Sequence, residues 1–360
     1  MHVPGDSTEL DQALPRDRPI RVLVVDDSAF IRHSIAKHLE ADPEITVVGK
    51  AYDGLDALTQ IAALKPDVVT LDVEMPRMDG LAALRRIMAE YPTPVIMLSA
   101  YTRRGARATI QALMRGAVDF VPKPAIHAEL DDVIEELIDK VKVAASAPAA
   151  SRLSSLPVHP GPSAPRSRPR PVHKGDPLII IGASTGGPRA LQQILSDLPA
   201  DLPAAVTVVQ HMPAGFTEAL AQRLNESSPL VVQEAAHGDR LARGLALLAP
   251  GGSHLRFNGR RQVSLDQGPR RNGVRPALDV SMESAAARHG TAVIGVVLTG
   301  MGSDGTLGAR QIKAAGGRVI AEHESTSVVY GMPRSVIEAG LVDRVAPLPE
   351  VALTLLEMIR

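Results

Sequence analysis

The sequence predicts two α/β domains, each built on a mainly parallel sheet. Short apolar runs alternate with helical patterns in both halves of the chain, and a stretch rich in proline and serine separates the halves. The chain has 360 residues, of which 45% are hydrophobic, so it is long enough to bury two cores. We therefore expect domains at residues 18–143 and 177–360, joined by a linker at 144–176 that holds seven prolines and six serines.

Five apolar runs precede the linker, and a helical pattern follows each of them. The predicted strands are IRVLVV, ITVVGKA, VVTLDV, PVIMLS and VDFVPK. The helices are expected to begin near Ala29, Leu55, Leu81, Arg104 and Glu129. Strands that alternate with helices favour parallel βαβ units, so we predict a flavodoxin-like (βα)5 fold for this half.

The same alternation resumes after the linker. The predicted strands are LIIIGA, AAVTVVQ, TAVIGVVLTG and GRVIAE. Residues 245–266 interrupt this pattern, and Asn258-Gly259 lies there between two alternating runs, which predicts a β-hairpin. We therefore expect a doubly wound, mainly parallel sheet with an added hairpin.

Composition narrows the functional classes. The 39 basic and 40 acidic residues give a net charge of −1, so no overall field favours nucleic acid. The absence of cysteine removes disulfides, thiolate nucleophiles and thiolate metal sites. No apolar run approaches the ~20 residues of a membrane span, and the N-terminus is too polar for a secretory signal. We expect a cytoplasmic protein that neither binds nucleic acid nor inserts into a membrane.

Polar residues stand at the carboxyl ends of strands in the N-terminal half. Asp26 and Asp27 follow the first strand, Asp72 the third, Ser99 the fourth and Lys123 the fifth. Ligands of such sheets collect at this edge. Three converging carboxylates repel one another unless a cation lies among them, and oxygen ligands suit Mg²⁺. The alternative is that an acidic residue after a strand caps the helix that follows. We predict a magnesium site.

The motifs VDDSA, LDVEMPRMDG, LSA and DFVPKP together resemble those of response-regulator receiver domains, over about residues 20–143. This resemblance implies that Asp72 accepts a phosphoryl group from a histidine kinase. It also implies that Asp26, Asp27, Asp72 and the backbone carbonyl of Glu74 hold Mg²⁺. Charge on the transferred group would be offset by the metal and by a lysine.

The same resemblance assigns three further residues to a phosphorylation switch. Lys123 would neutralise an acyl-phosphate oxygen, and the Ser99 hydroxyl would move to bond the phosphoryl group. Phe120 stands at the position of the family's switch aromatic, although packing in the core is the alternative explanation for it.

A glycine-rich turn follows the first strand after the linker, in LIIIGASTGGPRA. A dinucleotide fingerprint would need glycine where Ser184 stands and an acidic residue at the end of the next strand, which ends in Gln210-His211 instead. The segment Gly182–Gly186 does match G-x-S-x-G, in which a sharp turn from strand to helix presents a serine nucleophile. We therefore favour a nucleophilic Ser184.

A nucleophilic serine needs a base and an orienting acid. His211 in VVQHMP and Asp304 in LTGMGSDG both follow strands of the same predicted sheet. His211 lies 27 residues after Ser184, and Asp304 lies 93 residues after His211. A parallel sheet would bring the three residues to one edge. His254 in APGGSH is a rival base, and Asp304 could instead cap a helix.

The motifs IGASTGGP, QHMPAGFTEALAQRLN, LAPGGSH and LTGMGSDG occur in this order, and the region from 177 to 360 resembles the catalytic domain of chemotaxis protein-glutamate methylesterases. The resemblance implies Ser184 as nucleophile, His211 as base and acid, and Asp304 as orienting carboxylate. Thr185 and the Met301 backbone would lie against the substrate or its oxyanion. The implied reaction converts glutamate γ-methyl esters of methylated chemoreceptors to glutamate and methanol, deamidates glutamines at the same sites, and needs no cofactor.

Two alternatives to this function stay open in the sequence. One is a response regulator whose second domain only binds a partner, and the other is a nucleotide-dependent oxidoreductase. A further feature is the segment 256–276, which holds six arginines against one aspartate. It is either a solvated hairpin or a basic rim that attracts acidic receptor helices, and charge reversal at Arg260 and Arg261 is expected to separate these two roles.

Overall fold

The computed structural model describes residues 18–123, 130–146, 168–173, 175–259 and 261–359. The predicted linker from 147 to 167, the predicted helix start at Glu129 and Arg260 lie outside these residues. We refer to 18–146 as the N-terminal unit and to 168–359 as the C-terminal unit.

The N-terminal unit has a five-stranded parallel sheet with the strand order β2-β1-β3-β4-β5. Its strands are β1 Ile20–Val25, β2 Ile45–Ala51, β3 Val68–Asp72, β4 Val95–Ser99 and β5 Asp119–Pro122. Its helices are α1 Ala29–Leu39, α2 Gly54–Leu64, α3 Gly80–Glu90, α4 Arg103–Met114 and α5 Leu130–Ser146. The predicted (βα)5 fold is confirmed.

Alternating residues of these strands build the two faces of the sheet. Leu23 and Leu71 pack with α2, α3 and α4 on one side. Val22 and Val68 pack with α1 and α5 on the other side. Burial on both faces explains why the strands read as continuous apolar runs in the sequence.

The C-terminal unit has a seven-stranded parallel sheet with the order β16-β15-β14-β7-β8-β11-β9. Its strands are β7 Leu178–Ala183, β8 Ala205–Gln210, β9 Val231–Glu234, β11 Leu245–Leu248, β14 Val293–Val297, β15 Arg318–Glu322 and β16 Arg344–Ala346. Its helices are α6 Gly187–Asp197, α7 Phe216–Ser227, α8 Leu278–His289, α9 Thr306–Ala314, α10 Met332–Glu338 and α11 Leu348–Met358. The predicted doubly wound, parallel arrangement is confirmed.

Two small antiparallel pairs accompany this sheet. The predicted hairpin is present: β12 His254–Phe257 pairs with β13 Val263–Asp266, and Asn258-Gly259 lies in their connection. The other pair joins β6 Arg170–Pro171 to β10 Ala242–Arg243.

The structure differs from the sequence prediction at three places. The first residues of the predicted interruption form β11 within the main sheet, and the short strands β9 and β16 were not predicted. Helix α5 runs to Ser146, so the first three residues of the predicted linker are helical. Strands of three or four residues at sheet edges carry too little periodicity to stand out from loops.

Helix α4 of the N-terminal unit packs against α6 and α7 of the C-terminal unit. The two sheets are thereby connected through a helical layer that includes residues from both units. Within the described ranges, no helix combines the length and the apolar character needed to traverse a bilayer.

Candidate active site

Ser184 lies in the turn between β7 and α6, at the point where the strand order of the C-terminal sheet reverses. Its backbone N–H donates to Thr299 O at 3.0 Å, just beyond the end of β14, and Gly187 N donates to Ser184 O at 2.8 Å. Gly186 has φ +80°, a left-handed conformation that favours glycine. The turn therefore places a serine at the switch point of a doubly wound sheet, where such folds bind ligands.

His211 and Asp304 come together at the same edge. His211 follows β8, and its backbone N–H donates to Ala183 O at 3.0 Å, next to Ser184. The His211 Nε2 atom lies 2.7 Å from Asp304 Oδ2, and Asp304 is 2% exposed. A buried carboxylate is thus hydrogen-bonded to a half-buried imidazole, and the backbone of the histidine bonds the residue that precedes Ser184.

Backbone N–H groups hold the Asp304 carboxylate. Leu278 N donates to Oδ2 at 2.6 Å, and Asp279 N and Gly305 N donate to Oδ1 at 3.0 and 3.1 Å. Burial alone would raise the pKa of Asp304, but the bond to His211, the charge of His211 and these N–H groups hold that pKa below its ordinary value. Asp304 is therefore ionised at neutral pH.

An ionised carboxylate only accepts hydrogen bonds, so the proton between the two residues belongs to His211 Nε2, and Nδ1 is the ring nitrogen left for Ser184. The Ser184 hydroxyl forms no hydrogen bond within the described part of the chain, and it is half-buried. The structure thus joins two of the three predicted catalytic residues, and the Ser184–His211 contact stays a prediction.

The loop after β14 contains Met301, one of the two predicted oxyanion residues, and the other, Thr185, lies in the turn after β7. Gly300 N donates to Val329 O at 3.1 Å, so this N–H is already engaged. A Cβ added to Gly300 would lie 2.7 Å from Ser184 Cβ, which shows how closely the loop approaches the serine. Within the described ranges, neither the Met301 N–H nor the Thr185 N–H forms a hydrogen bond.

His254, the rival base, has both ring nitrogens on backbone groups. Its Nε2 lies 2.9 Å from Pro269 O, and its Nδ1 accepts from Ala277 N at 3.2 Å. The side chain is 1% exposed, so it has no lone pair free for a serine. His254 anchors the segment that leads into α8.

The acidic residues of the N-terminal unit also converge at a switch point, between β1 and β3. Carboxylate oxygens of Asp26, Asp27 and Asp72 all lie within 4.8 Å of one another. Lys123 Nζ lies 2.7 Å from both Asp26 Oδ2 and Asp72 Oδ2. Oxygen-only ligands at this spacing, with Asp27 facing solvent, fit a hard divalent cation that keeps bound water.

Burial dominates the electrostatics of this cluster. It raises the pKa of Asp72 to about 6, although the Lys123 ammonium opposes the shift, and the charge of Asp26 adds to it. Burial would lower the pKa of Lys123, but the two carboxylates outweigh it and raise that pKa. The lysine is therefore a fixed positive charge beside Asp72.

The remaining predicted switch residues lie around the cluster. Ser99 is fully buried at the end of β4, where its carbonyl accepts from Lys123 N at 2.7 Å. Glu74 is exposed, and its N–H donates to Asp72 Oδ1 at 3.3 Å. Phe120 is 3% exposed in β5 and faces the C-terminal unit.

The sequence is similar to two protein families, one over each unit. The model of the CheB methylesterase matches residues 179–355, and the model of the response regulator receiver domain matches residues 22–135. A protein-glutamate methylesterase/protein-glutamine glutaminase of Symbiobacterium thermophilum is 52% identical over 348 residues, covering 93% of this chain and 96% of the relative. The chain belongs to this methylesterase family.

Further relatives agree with that assignment. The protein of the same name from Pyrococcus abyssi is 46% identical over 355 residues and covers 95% of each chain. The crystal structure of the Thermotoga maritima CheB methylesterase catalytic domain has a TM-score of 0.50 and 46% identity, covering 51% of this chain and 98% of that one. The N-terminal unit is accordingly a receiver domain, and the C-terminal unit has the fold of the methylesterase catalytic domain.

The receiver domain of this chain contacts the candidate active site directly. Asp119, the first residue of β5, accepts a hydrogen bond from the Thr185 hydroxyl at 2.5 Å. Lys140 of α5 lies 3.4 Å from the other Asp119 oxygen. Thr185 is 3% exposed, so the receiver carboxylate covers the residue next to Ser184.

Two aromatic side chains of the receiver pack on one aromatic of the catalytic domain. The Phe120 ring centroid lies 4.6 Å from that of Phe216, and the Tyr101 ring meets Phe216 edge-on at 5.6 Å. Phe216 begins α7, five residues after His211. The predicted switch aromatic is thus an interface residue in addition to being buried.

Intramolecular partners occupy most arginines of segment 256–276. Arg256 pairs with Asp266, Arg261 donates to Val172 O, and Arg271 pairs with Glu283. Arg275 donates to two loop carbonyls. Arg270 is exposed, and among the described residues it donates only to Gly273 O in its own turn, so of the described arginines of this segment it is the best placed to meet a partner.

Sequence reasoning missed three residues near the site. In the sequence, Asp119 belongs to a predicted strand and Asn272 to the arginine-rich segment, and no prediction covers Asp279. The Asn-Gly pair at 272–273 is a turn signal, but nothing local indicates which carboxylates its amide reaches.

Proposed function

We propose that this chain is a phosphorylation-activated serine esterase that hydrolyses glutamate γ-methyl esters, and deamidates glutamines, on the cytoplasmic helices of chemoreceptors. The observation that carries the proposal is the hydrogen-bonded His211–Asp304 pair, in which Nε2 and the buried Oδ2 lie 2.7 Å apart beside the turn that holds Ser184. The names of the relatives supply the class of substrate. Because these receptor helices lie in the cytoplasm, the enzyme acts in the cytoplasm in this proposal.

The first half of the reaction forms an acyl-enzyme. The Ser184 hydroxyl attacks the γ-carbonyl carbon of the ester while His211 Nδ1 takes its proton. Asp304 holds the Nε2–H of the same ring, and it stabilises the imidazolium that forms. Collapse of the tetrahedral intermediate expels methanol, to which the imidazolium returns the proton.

The oxyanion of that intermediate lies between the turn and the loop after β14. The N–H groups of Thr185 and Met301 are the donors in this proposal, because Gly300 N is engaged by Val329 O. Water then attacks the acyl-enzyme by the same route, which leaves glutamate and restores Ser184. A glutamine substrate follows the same steps with ammonia as the leaving group, and neither reaction uses a cofactor.

The receiver supplies the control. A histidine kinase transfers a phosphoryl group to Asp72. Asp26, Asp27, Asp72 and the Glu74 carbonyl would hold Mg²⁺, which would offset negative charge on the phosphoryl group. Lys123, whose ammonium lies 2.7 Å from Asp72 Oδ2, would neutralise a phosphoryl oxygen, and the hydroxyl of Ser99 at the end of β4 would bond the phosphoryl group.

The contact between Asp119 and Thr185 supports a specific form of this control. In the unphosphorylated chain, a receiver carboxylate accepts the hydrogen bond of a residue that lies against the substrate in this proposal. Phe120 packs on Phe216 beside it. Phosphorylation shifts the population toward an arrangement in which these contacts are broken and the receptor helix enters.

Release of labelled methanol from methylated receptor membranes tests the function. We expect release by the wild-type chain, faster with a phosphodonor, and none above background from Ser184→Ala, which still folds and accepts phosphate. Because the catalytic residues act as a unit, adding His211→Ala to Ser184→Ala is expected to cost little more. Release by Ser184→Ala at the wild-type rate would refute the nucleophile assignment.

The alternative of a partner-binding output domain makes a different prediction for the same assay. It requires receptor binding without methanol release, with or without phosphodonor. A nucleotide-dependent oxidoreductase is disfavoured because Gln210, at the position of the expected acid, uses its amide on Ser184 O at 2.9 Å.

A further inference from the structure

The segment between the hairpin and α8 passes over the candidate catalytic carboxylate. His254 fixes this segment at both ends through Pro269 O and Ala277 N. Arg275 adds bonds to Gln267 O and Gly268 O, each at 2.8 Å. The turn between these anchors is therefore held in one place relative to α8.

Asn272 lies at the tip of that turn, with φ +53°, a conformation that asparagine adopts more readily than most residues. Its side-chain Nδ2 donates to Asp279 Oδ2 at 3.0 Å and to Asp304 Oδ1 at 3.1 Å. Both acceptor residues are buried, at 0% and 2% exposure. One amide nitrogen therefore uses its two hydrogens on two adjacent carboxylates.

The second carboxylate, Asp279, is held by the start of α9. Gly305 N and Gly308 N donate to its Oδ1 at 2.9 and 2.7 Å. Burial and the charge of Asp304 raise the pKa of Asp279, whereas the pKa of Asp304 is lowered. Two like charges in one buried site need a shared donor between them, and the Asn272 amide is in that position.

We propose that Asn272 is a positioning residue of the esterase. It separates the charges of Asp279 and Asp304, and it fixes the Asp304 oxygen that faces away from His211, so that the other oxygen stays aligned with the imidazole. The inference rests on the proposed function, because it assigns Asn272 a role through the His211–Asp304 pair. Through the Asn272 side chain, the arginine-rich segment 256–276 contacts the candidate catalytic carboxylate Asp304.

The titratable groups around Asp304 are few. His211 meets it from the end of β8, and Asp279 faces it from α8. The nearby guanidinium of Arg271 pairs with Glu283, and that of Arg275 bonds loop carbonyls. Removing the Asn272 amide therefore leaves no neighbouring cation in place to replace it within the described ranges.

Two substitutions remove this amide without straining the turn. Asn272→Gly keeps the left-handed backbone conformation, and Asn272→Asp replaces the amide by a third carboxylate of the same shape. Loss of a hydrogen bond to a charged group predicts a fall in kcat of about tenfold to a hundredfold for Asn272→Gly, and more for Asn272→Asp. KM is expected to stay within about twofold of wild type, because the amide does not touch substrate.

The pH profile separates positioning from a merely structural role. Without the amide, the pair formed by His211 and Asp304 binds a proton more readily, so the acid limb of kcat/KM moves to higher pH in both variants, furthest in Asn272→Asp. The pH midpoint of this acid limb does not depend on the fraction of enzyme that is folded. Glu283→Gln is the matched control, since it breaks the Arg271 ion pair of the same turn and leaves the amide in place.

The experiment measures methanol release by the full-length chain and, in parallel, the His211 Nε2–H proton by NMR. We expect Asn272→Gly to lower kcat, move the acid limb and shift the Nε2–H resonance, and Glu283→Gln to do none of these. A fall in kcat with an unmoved limb and resonance, a change in KM alone, or wild-type behaviour of Asn272→Gly would each overturn the proposal.

The two readouts keep the two proposals apart. Active wild type and inactive Ser184→Ala uphold the esterase whatever Asn272 does. If the wild type releases no methanol, the proposed function fails, and the NMR comparison still decides whether Asn272 positions the His211–Asp304 pair.

Discussion

The two domains hold buried carboxylates at the same place in their folds, but by different means. In the receiver, Asp26 and Asp72 lie at a switch point and share the ammonium of Lys123. In the catalytic domain, Asp279 and Asp304 lie beside a switch point and are surrounded by backbone N–H groups, one amide and one imidazole.

This difference appears in the proton affinities. Burial raises the pKa of Asp72 to about 6 despite its lysine, whereas the pKa of Asp304 stays below its ordinary value despite burial. At Asp72 a single ammonium, shared with Asp26, opposes the effect of burial without overcoming it. At Asp304 the hydrogen bond and the charge of His211 are the main causes of the lowered pKa, and backbone N–H groups add to them and hold the carboxylate in one orientation.

The largest predicted effect comes from the same substitution made at each site. Asp304→Asn removes the charge that fixes the His211 tautomer, and we expect kcat to fall by about 10³- to 10⁴-fold. Asp72→Asn is expected to leave unstimulated methanol release within about twofold and to abolish stimulation by a phosphodonor. Equal losses in the two variants would contradict the different roles assigned to Asp304 and Asp72.

A smaller effect is expected at the contact between the domains. Asp119→Ala removes the acceptor of the Thr185 hydroxyl from the closed arrangement, so unstimulated methanol release should rise, by about tenfold for one charge-assisted hydrogen bond. Asp119→Asn, which keeps a polar partner of the same shape, is the matched control and should rise less. Retained phosphorylation of both variants shows that the receiver is folded. An unchanged rate of unstimulated methanol release in Asp119→Ala would show that this contact does not inhibit the esterase.

The arginine-rich segment should give a weaker effect, confined to substrate binding. Arg270→Glu is expected to raise KM by about two- to fivefold at low salt, with kcat unchanged, because exposed charges act mainly on encounter. Arg270 serves better than Arg261, whose guanidinium is engaged by Val172 O. If KM and its salt dependence match wild type, the segment has no part in docking.

A third buried carboxylate, Glu322, is expected to affect the stability of the catalytic domain rather than its chemistry. It accepts from Thr299 N and Thr326 Oγ1, and burial raises its pKa from an ordinary 4.5 to about 7. A raised pKa contributes stability that is lost as pH rises between these two values. Glu322→Gln should therefore exceed wild type in free energy of unfolding above pH 7, by about 1–3 kcal/mol, with little difference near pH 4.5.

Denaturant unfolding across this pH range measures that effect. The exposed Glu324→Gln is the control, expected to follow wild type throughout. Parallel curves for wild type and Glu322→Gln would mean that Glu322 is ionised in the folded protein.

Most of the fold could be predicted from the sequence because most strands of the two sheets are buried. β1 and β7 appear in the structure with the predicted bounds, since each is a mostly apolar run that ends at a polar residue or a turn. β2 also has its predicted bounds, although it is an edge strand of which only the two end residues are buried. β16 pairs only along the edge of its sheet, and two of its three residues are exposed, so its sequence carries no such run.

The candidate site was predictable only where residues follow strands. Asp72 and His211 were located because a parallel sheet brings strand ends to one edge. The roles of Asp119 and Asn272 depend on contacts across 66 and 32 residues, made between domains or from a loop. No local pattern encodes such contacts.

The most direct test of control by the receiver compares three rates of methanol release at equal concentration. They are those of the full-length chain, the full-length chain with a phosphodonor, and a fragment beginning at Ala164. A related catalytic domain has been crystallised alone, so the fragment is expected to fold. We predict that the fragment exceeds the unstimulated full-length chain and ignores the phosphodonor. A fragment no faster than the unstimulated full-length chain would contradict inhibition by the receiver.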